Sequence, residues 1–286
     1  MEKLLGAGLT ILSAVAFGAM PIFANIVYRD GVTPTSLLFL RFALAAVVMG
    51  IWLAIQKIPV PRGRTLFYLF LLGGVGYAGQ SFSYFTALKY APAGLVAVLL
   101  YLYPALVTVV SVFVLKQSIT PLKWGALVLS LLGILLVIGV QSGGQLMGIA
   151  LGILAAFIYT AYILFGAQVT RQADVRASLA MIFASAAMVY GGVVMAQGLS
   201  LPVSYSGWGA MLGLAFFSTV IAVWAFFEGV KRIGAVDAAM LSTLEPVVTV
   251  ALGWSLLGER LTMMNMLGGS LIVIAALLLA RSEKLD

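Results

Sequence analysis

Apolar runs alternate with short polar breaks along the whole chain, and each run is long enough to cross a membrane, which takes about 20 apolar residues. Runs bounded by charge, proline or glycine predict helices near 5–28, 34–55, 66–88, 93–114 and 122–140. A second set falls near 146–168, 177–197, 206–230, 236–257 and 262–280. The breaks are compact: Arg29-Asp30-Gly31, Lys57–Arg64, Lys116–Pro121, Gln141–Gln145, Arg171–Arg176 and Glu259-Arg260. The fold class expected is an all-α membrane protein of ten transmembrane helices. The first run opens as a signal peptide would, with Met1-Glu2-Lys3 and then Ala14-Val15-Ala16 inside an apolar stretch. It continues to about Tyr28, too long for the apolar core of a signal, and is read as the first membrane helix.

Composition agrees with this pattern. Of 286 residues, 63% are hydrophobic and 9% charged, with a mean hydropathy of +1.15. A soluble domain carries about 25% charged residues, so water is not the solvent for most of this surface. Ten spans leave short loops and no room for a soluble domain. The net charge of +7 sits between the apolar runs, where loop orientation and anionic headgroups account for it, so lipid and not nucleic acid is the expected partner. Twelve Lys and Arg fall at the N-terminus, the even-numbered loops and the C-terminus, against three (Arg29, Lys89 and Arg260) in the odd-numbered loops. That imbalance places both termini in the cytoplasm, in a prokaryotic-type inner membrane. With no Cys and no His, disulfides, Cys/His zinc sites, His-ligated haem and His-based catalysis are excluded. No cofactor is expected.

The two sets of helices are copies. A gapless shift of 142 residues sets Pro104 on Pro246, Gly6 on Gly148, Leu9 on Leu151, Arg29 on Arg171, Ser36 on Ser178, Lys89 on Lys231 and Thr120 on Thr262. The repeats are 1–140 and 146–286, and five helices in each make them inverted in the membrane. Inverted repeats about a midplane site are a common architecture of secondary transporters.

Several motifs have two readings. Gly74-Val75-Gly76-Tyr77-Ala78-Gly79 matches the dinucleotide fingerprint, but it lies inside an apolar run with no preceding strand. There Gly73, Gly76 and Gly79 serve close helix approach, as do Gly148 with Gly152 and Gly209 with Gly213. No Gly-Lys-Ser/Thr phosphate cradle occurs, so transport energy is expected from an ion or solute gradient. Pro21, Pro104 and Pro246 each remove a backbone donor inside a helix and read as hinges or as fixed kinks.

Ionisable groups at membrane depth are functional candidates by default. Arg41, Glu228 and Glu245 qualify, Arg41 and Glu245 as a coupling pair or a structural ion pair, with Ser242 and Thr249 on the face of Glu245. Glu228 lies near Lys231 and Arg232 and is expected at the interface. Tyr77, Gln80, Ser81 and Tyr84 form one polar face at helical spacing, and Tyr159 and Tyr162 another. With Tyr101, Trp224, Ser242 and Glu245 they make the expected solute site; tyrosines packed on one another are the alternative.

A further set of motifs carries a resemblance. Leu241-Ser242-Thr243-Leu244-Glu245-Pro246-Val247-Val248, followed by Leu257-Gly258-Glu259-Arg260-Leu261-Thr262 and Leu267-Gly268-Gly269, resembles the EamA family of the drug/metabolite transporter superfamily. Leu100-Tyr101-Leu102-Tyr103-Pro104-Ala105, Phe17-Gly18 and Leu40-Arg41-Phe42 also fit. The resemblance implies ten helices, a central cavity from helices 1, 3, 4, 6, 8 and 9, and export of amino acids or other metabolites. The Glu-Pro pair of the second half stands as Tyr103-Pro104 in the first, so any role of that acid rests on the second half. Neither helix 1 nor helix 6 holds the acid by which the related small multidrug resistance proteins trade cations for protons.

The function expected is secondary export of a small amphipathic solute. A multidrug or cation exporter and a metabolite uptake carrier are the nearer alternatives; a channel and an intramembrane enzyme are remote. Ten helices can enclose a site without a partner, and a homodimer is left open.

Overall fold

The computed structural model describes residues 2–87, 89–91, 93–139, 145–171, 173–258 and 260–282. Every regular element among them is helical. Glu259, Lys284, Asp286, Leu88, Val140 and most of the Gln141–Gln145 break lie outside the described residues.

Among the described residues, eight helices are long and apolar enough to cross a membrane: Glu2–Arg29 (α1), Pro34–Gln56 (α2), Leu95–Phe113 (α4), Pro121–Ile138 (α5), Leu146–Arg171 (α6), Val175–Gln197 (α7), Tyr205–Ile233 (α8) and Ala235–Leu256 (α9). Two more stretches are helical. Residues 63–87 (α3) are helical throughout, their apolar run punctuated by glycines and polar residues, and Met263–Ser282 (α10) ends the described chain. Capping side chains start several of them. Thr33 accepts from the Ser36 amide ahead of α2, Asp174 from the Arg176 amide ahead of α7, and Ser204 from the Gly207 amide ahead of α8. Apolar side chains such as Ile55, Phe113, Met195, Met263 and Leu277 stand exposed on the outside of the bundle, as a lipid-facing surface requires.

Lipid is as apolar as leucine, so helices in a membrane are held by close packing and interhelical bonds. The glycines show where. A methyl group on Gly6 of α1 would lie 2.7 Å from both Arg232 Cβ and Ile233 Cγ2 of α8. On Gly148 of α6 it would lie 2.7 Å from Ala91 Cβ and 2.9 Å from the carbonyl carbon of Tyr90, just past α3. These contacts are images of one another, because adding 142 to 6, 90 and 91 gives 148, 232 and 233. The packing order follows suit: α1 lies on α8 as α6 lies on α3, while α2 meets α7 and α5 meets α10. Gly133 and Gly268 bring the last pair together, each facing the other's carbonyl oxygen.

The Gly-rich stretch of α3 packs against neighbouring helices. Gly73 is pressed on the Ile182 carbonyl oxygen of α7, Gly74 is 2.9 Å from Ser185 Oγ, and Gly76 is 3.2 Å from the Tyr162 ring of α6, all measured to an added methyl. Gly79 has only ordinary contact with Ile158, at 3.9 Å. Gly213 meets Phe23 at 2.8 Å, but Gly209 faces open space, so the two do not form one packing surface.

Candidate solute-binding site

Three helices break at the level of the cavity, each at a proline. Proline donates no amide hydrogen and crowds the carbonyl four residues back, so α1 is interrupted at Ala19 and resumes at Met20 with Pro21 in its first turn. In α4 the break is at Tyr101 and Leu102, with Pro104 just beyond; in α9 a 3₁₀ turn over Ser242–Leu244 precedes Glu245 and Pro246. The breaks in α4 and α9 are repeat mates, whereas α6, the mate of α1, is continuous. The Gly18 carbonyl freed in α1 accepts from Thr249 Oγ1 of α9 at 2.9 Å.

Two other helices change register without proline. Leu72–Tyr77 of α3 and Phe216–Ile221 of α8 are π-helical turns, two residues from being images of one another under the 142-residue shift. Single π turns are frequent at functional sites.

Between these irregular segments lies a cavity of about 380 Å³, within the range of metabolite pockets. Its wall takes Phe17, Met20, Pro21, Ala24, Asn25 and Tyr28 from α1, Arg41 from α2, and Tyr77, Gln80, Ser81, Tyr84 and Phe85 from α3. Leu100, Tyr101 and Tyr103 of α4, Tyr159 of α6, and Glu245 and Thr249 of α9 complete it. The structure therefore gathers Tyr77, Gln80, Ser81, Tyr84, Tyr101, Tyr159, Arg41, Glu245 and Pro21 at one cavity.

Three expected wall residues do not line it. Ser242 is fully buried and donates to the Ala238 carbonyl at 3.0 Å. Tyr162 stands one layer behind, its ring 5.2 Å from Tyr77, 6.0 Å from Tyr159 and 5.7 Å from Phe227. Trp224 packs on Trp52 of α2, with ring centroids 6.2 Å apart. Pro104 and Pro246 shape the breaks without facing the cavity.

The two ionisable side chains at membrane depth are held separately. Arg41, 4% exposed, donates through Nε to Thr219 Oγ1 at 2.7 Å and through Nη2 to the Tyr77 hydroxyl at 2.8 Å. Thr219 belongs to the π turn of α8, where it also donates to the Leu214 carbonyl, and Tyr77 closes the π turn of α3. Arg41 thus ties the two register shifts together from α2. Its guanidinium lies over the Phe42 and Tyr77 rings at 5.1 and 5.6 Å. Glu245 Oε2 accepts from the Tyr101 hydroxyl at 3.3 Å. No ion pair joins Arg41 and Glu245 among the described residues, so a structural pair is not what holds either. Glu245 stands in the first turn of a half-helix, where the backbone amides favour negative charge.

A run of aromatic rings connects the two. From Phe42 it passes to Tyr77 at 4.9 Å, Tyr162 at 5.2 Å, Tyr159 at 6.0 Å, Tyr103 at 4.7 Å and Tyr101 at 6.3 Å. The cavity offers a cation, a carboxylate, an amide and a π-rich wall, a set suited to binding an amphipathic solute. Among the described residues no three acidic side chains gather as a metal site.

The EamA-like transporter family model matches residues 4–139 and again residues 146–281. The chain belongs to the EamA-like transporter family. The family match falls on both repeats and identifies a multi-pass membrane transporter. Among EamA-like relatives, an uncharacterized transporter, YcbK, of Bacillus subtilis (strain 168) is 26% identical over 280 residues, covering 93% of this chain and 90% of its own. The uncharacterized inner membrane transporter YedA of Escherichia coli (strain K12) is 26% identical over 259 residues, 88% of this chain and 83% of its own. A probable amino-acid metabolite efflux pump of Salmonella typhimurium is 27% identical over 260 residues, 84% of this chain and 83% of its own. A solved crystal structure shares the fold with a TM-score of 0.83 at 20% identity, over 98% of this chain and 97% of that one.

Asn25 and Tyr28 of α1, and Thr219 behind Arg41, did not figure among the residues expected at the site. The first two were legible, since Pro21, Asn25 and Tyr28 recur at helical spacing with Phe17 on one face. Thr219 had no such signal, because its place depends on the π turn.

Proposed function

We propose that the chain is a secondary active transporter of ten membrane helices in two inverted halves, exporting a small amphipathic metabolite, an amino acid or an analogue, by alternating access. The observation that carries this reading is the cavity itself, walled by three broken helices. Backbone left unpaired inside a membrane is tolerated where it lines a cavity or is repacked, and half-helices around a midplane site are the usual construction of secondary transporters.

The residues 63–87 and α10 supply the ninth and tenth spans in this reading. With both termini cytoplasmic, the lining residues fall in the outer parts of their helices: the second halves of α1 and α3 and the first halves of α2 and α4. The cavity then faces outward. Its cytoplasmic side is closed where Gly6 and Thr10 of α1 press on α8, by the Lys123–Asp237 ion pair at 2.7 Å, and by Arg232 paired with Glu2 and Glu228. The mirror contact of Gly148 with Tyr90 and Ala91 is the corresponding outer seam, so the same two-fold relation that builds the fold supplies an inward-facing counterpart. The name of the Salmonella relative, an amino-acid metabolite efflux pump, supports export.

A cation exporter is the second reading, favoured by a Glu245 carboxyl group that has no cation at ion-pair distance among the described residues. Arg41 on the same wall counts against it, because a cationic solute is repelled there. Purified protein in liposomes tests the transporter reading against a channel, with a panel of amino acids, amines and neutral metabolites. Flux that saturates and is stimulated by solute on the far side, and that Tyr84→Ala and Glu245→Gln impair, supports it. Continuous single-channel conductance in a planar bilayer, or normal flux in both variants, sinks it.

A further inference from the structure

We infer that the cavity selects its solute by a carboxylate held on Arg41, with the solute's ammonium end toward Glu245. The inference rests on the transporter reading and adds the charge pattern that a solute must carry.

Arg41 is the starting point. A guanidinium has five N–H donors in a planar fork. Nε is spent on Thr219 and one Nη2 hydrogen on Tyr77, at 2.7 and 2.8 Å. The side chain is 4% exposed, lines the cavity, and has no carboxylate within ion-pair distance among the described residues. Among the described residues the remaining donors have no protein acceptor. A buried charge is costly unless paired and hydrogen-bonded, and the faces of Phe42 and Tyr77 offset only part of that cost. If Arg41 were there solely to join the π turns of α3 and α8, a neutral donor would serve. A permanent cation with a free fork facing a cavity is suited to a carboxylate, which it can meet with two parallel bonds.

Glu245 makes the complementary case. One of its oxygens accepts from Tyr101 at 3.3 Å, and the other has no protein donor among the described residues. A permanent cation and a carboxyl group thus face one cavity of about 380 Å³ without pairing with each other. A dipolar solute satisfies both, and the aromatic rings between them take its apolar part.

The test uses purified wild type with two matched sets: leucine, leucinamide and 3-methylbutylamine, then phenylalanine, phenylalaninamide and phenethylamine. Binding is read as ligand-induced thermal stabilisation, and transport as counterflow in liposomes. The acid is expected to bind at least about tenfold more tightly than the amide of the same side chain. Arg41→Gln should reduce that preference to about twofold or less, and Arg41→Lys, which keeps the charge, should retain a preference for the acid. Should Arg41→Gln fail to fold, wild type and Arg41→Lys still decide the matter. Equal binding of acid and amide by wild type overturns the inference, as does an acid preference that survives Arg41→Gln. It is also overturned if no carboxylate-bearing member binds or moves. In that last case saturable counterflow of the amines would leave the transporter reading standing, and its absence throughout the panel would count against that reading too.

Discussion

The Arg41 guanidinium donates to the Tyr77 hydroxyl at 2.8 Å, and this bond joins a cation on α2 to the last residue of the π turn in α3. Through Thr219 at 2.7 Å the same side chain reaches the matching turn of α8. The two irregular turns are therefore fastened to one charged group at the edge of the cavity. Tyr77→Phe keeps the ring against Phe42 and removes only the hydroxyl. It is expected to cost about 1.5–3 kcal/mol, as for hydrogen bonds to charged groups, read as a lower melting temperature in detergent. An unchanged melting temperature would mean that the bond does not hold the turn.

Glu245→Gln preserves the shape of the side chain and an acceptor for Tyr101. Folding should persist, while affinity for amine-bearing solutes falls about tenfold or more. Deaminated analogues should bind as before. Titrations of the two solute classes against the variant separate these outcomes, and equal losses for both would argue for a general disturbance of the site.

Packing in α3 makes a sharp contrast possible. Gly73→Ala forces a methyl into the Ile182 backbone carbonyl, where α7 cannot yield cheaply, and should destabilise by about 1–3 kcal/mol. Gly209→Ala meets nothing within 4 Å and should be neutral or slightly stabilising, since alanine gains up to about 1 kcal/mol over glycine in a helix. Melting curves of the two variants check this directly.

Acid should loosen both faces of the protein. Asp30 accepts from the Val203 and Ser204 amides and the Ser204 hydroxyl, and these bonds, the Ser204 amide foremost, hold its carboxyl below the usual aspartate value. Asp174 is held low chiefly by hydrogen bonds from the Arg176 side chain, at 3.0 and 2.8 Å. Lowered folded-state values mean stability that is complete above the ordinary aspartate value of about 3.9 and lost as pH falls through the folded value. Melting temperature should be flat near neutrality and drop below about pH 4. Asp30→Asn and Asp174→Asn should each shrink that drop.

Much of the fold could be read from the apolar runs, because a membrane demands one long helix per crossing and leaves little freedom in its length. The prolines announced the breaks in α1, α4 and α9, and the stripe of Tyr77, Gln80, Ser81 and Tyr84 announced the wall. The π turns were not legible. An extra residue per turn costs little locally, and whether it forms depends on the neighbouring helix. For the same reason the structural pair of Arg41 with Glu245, one of the two readings open to these residues, does not form among the described residues, and Arg41 reaches Thr219 and Tyr77. Ser242 was placed with Glu245 by helical spacing, but the 3₁₀ turn between them moves it off the shared face. Trp224 carried no signal beyond being aromatic at depth, and its partner Trp52 sits on a different helix.

Access to the cavity from alternate sides is the central claim, and the absence of cysteine gives a clean background for measuring it. Asn25→Cys places a thiol on the cavity wall, and Thr10→Cys places one in the sealed contact between α1 and α8. In liposomes without solute, N-ethylmaleimide should label the first and spare the second. During solute counterflow, labelling at Asn25→Cys should slow while labelling at Thr10→Cys rises. Rates that stay fixed while solute moves, or that rise together as in an open pore, would contradict the account.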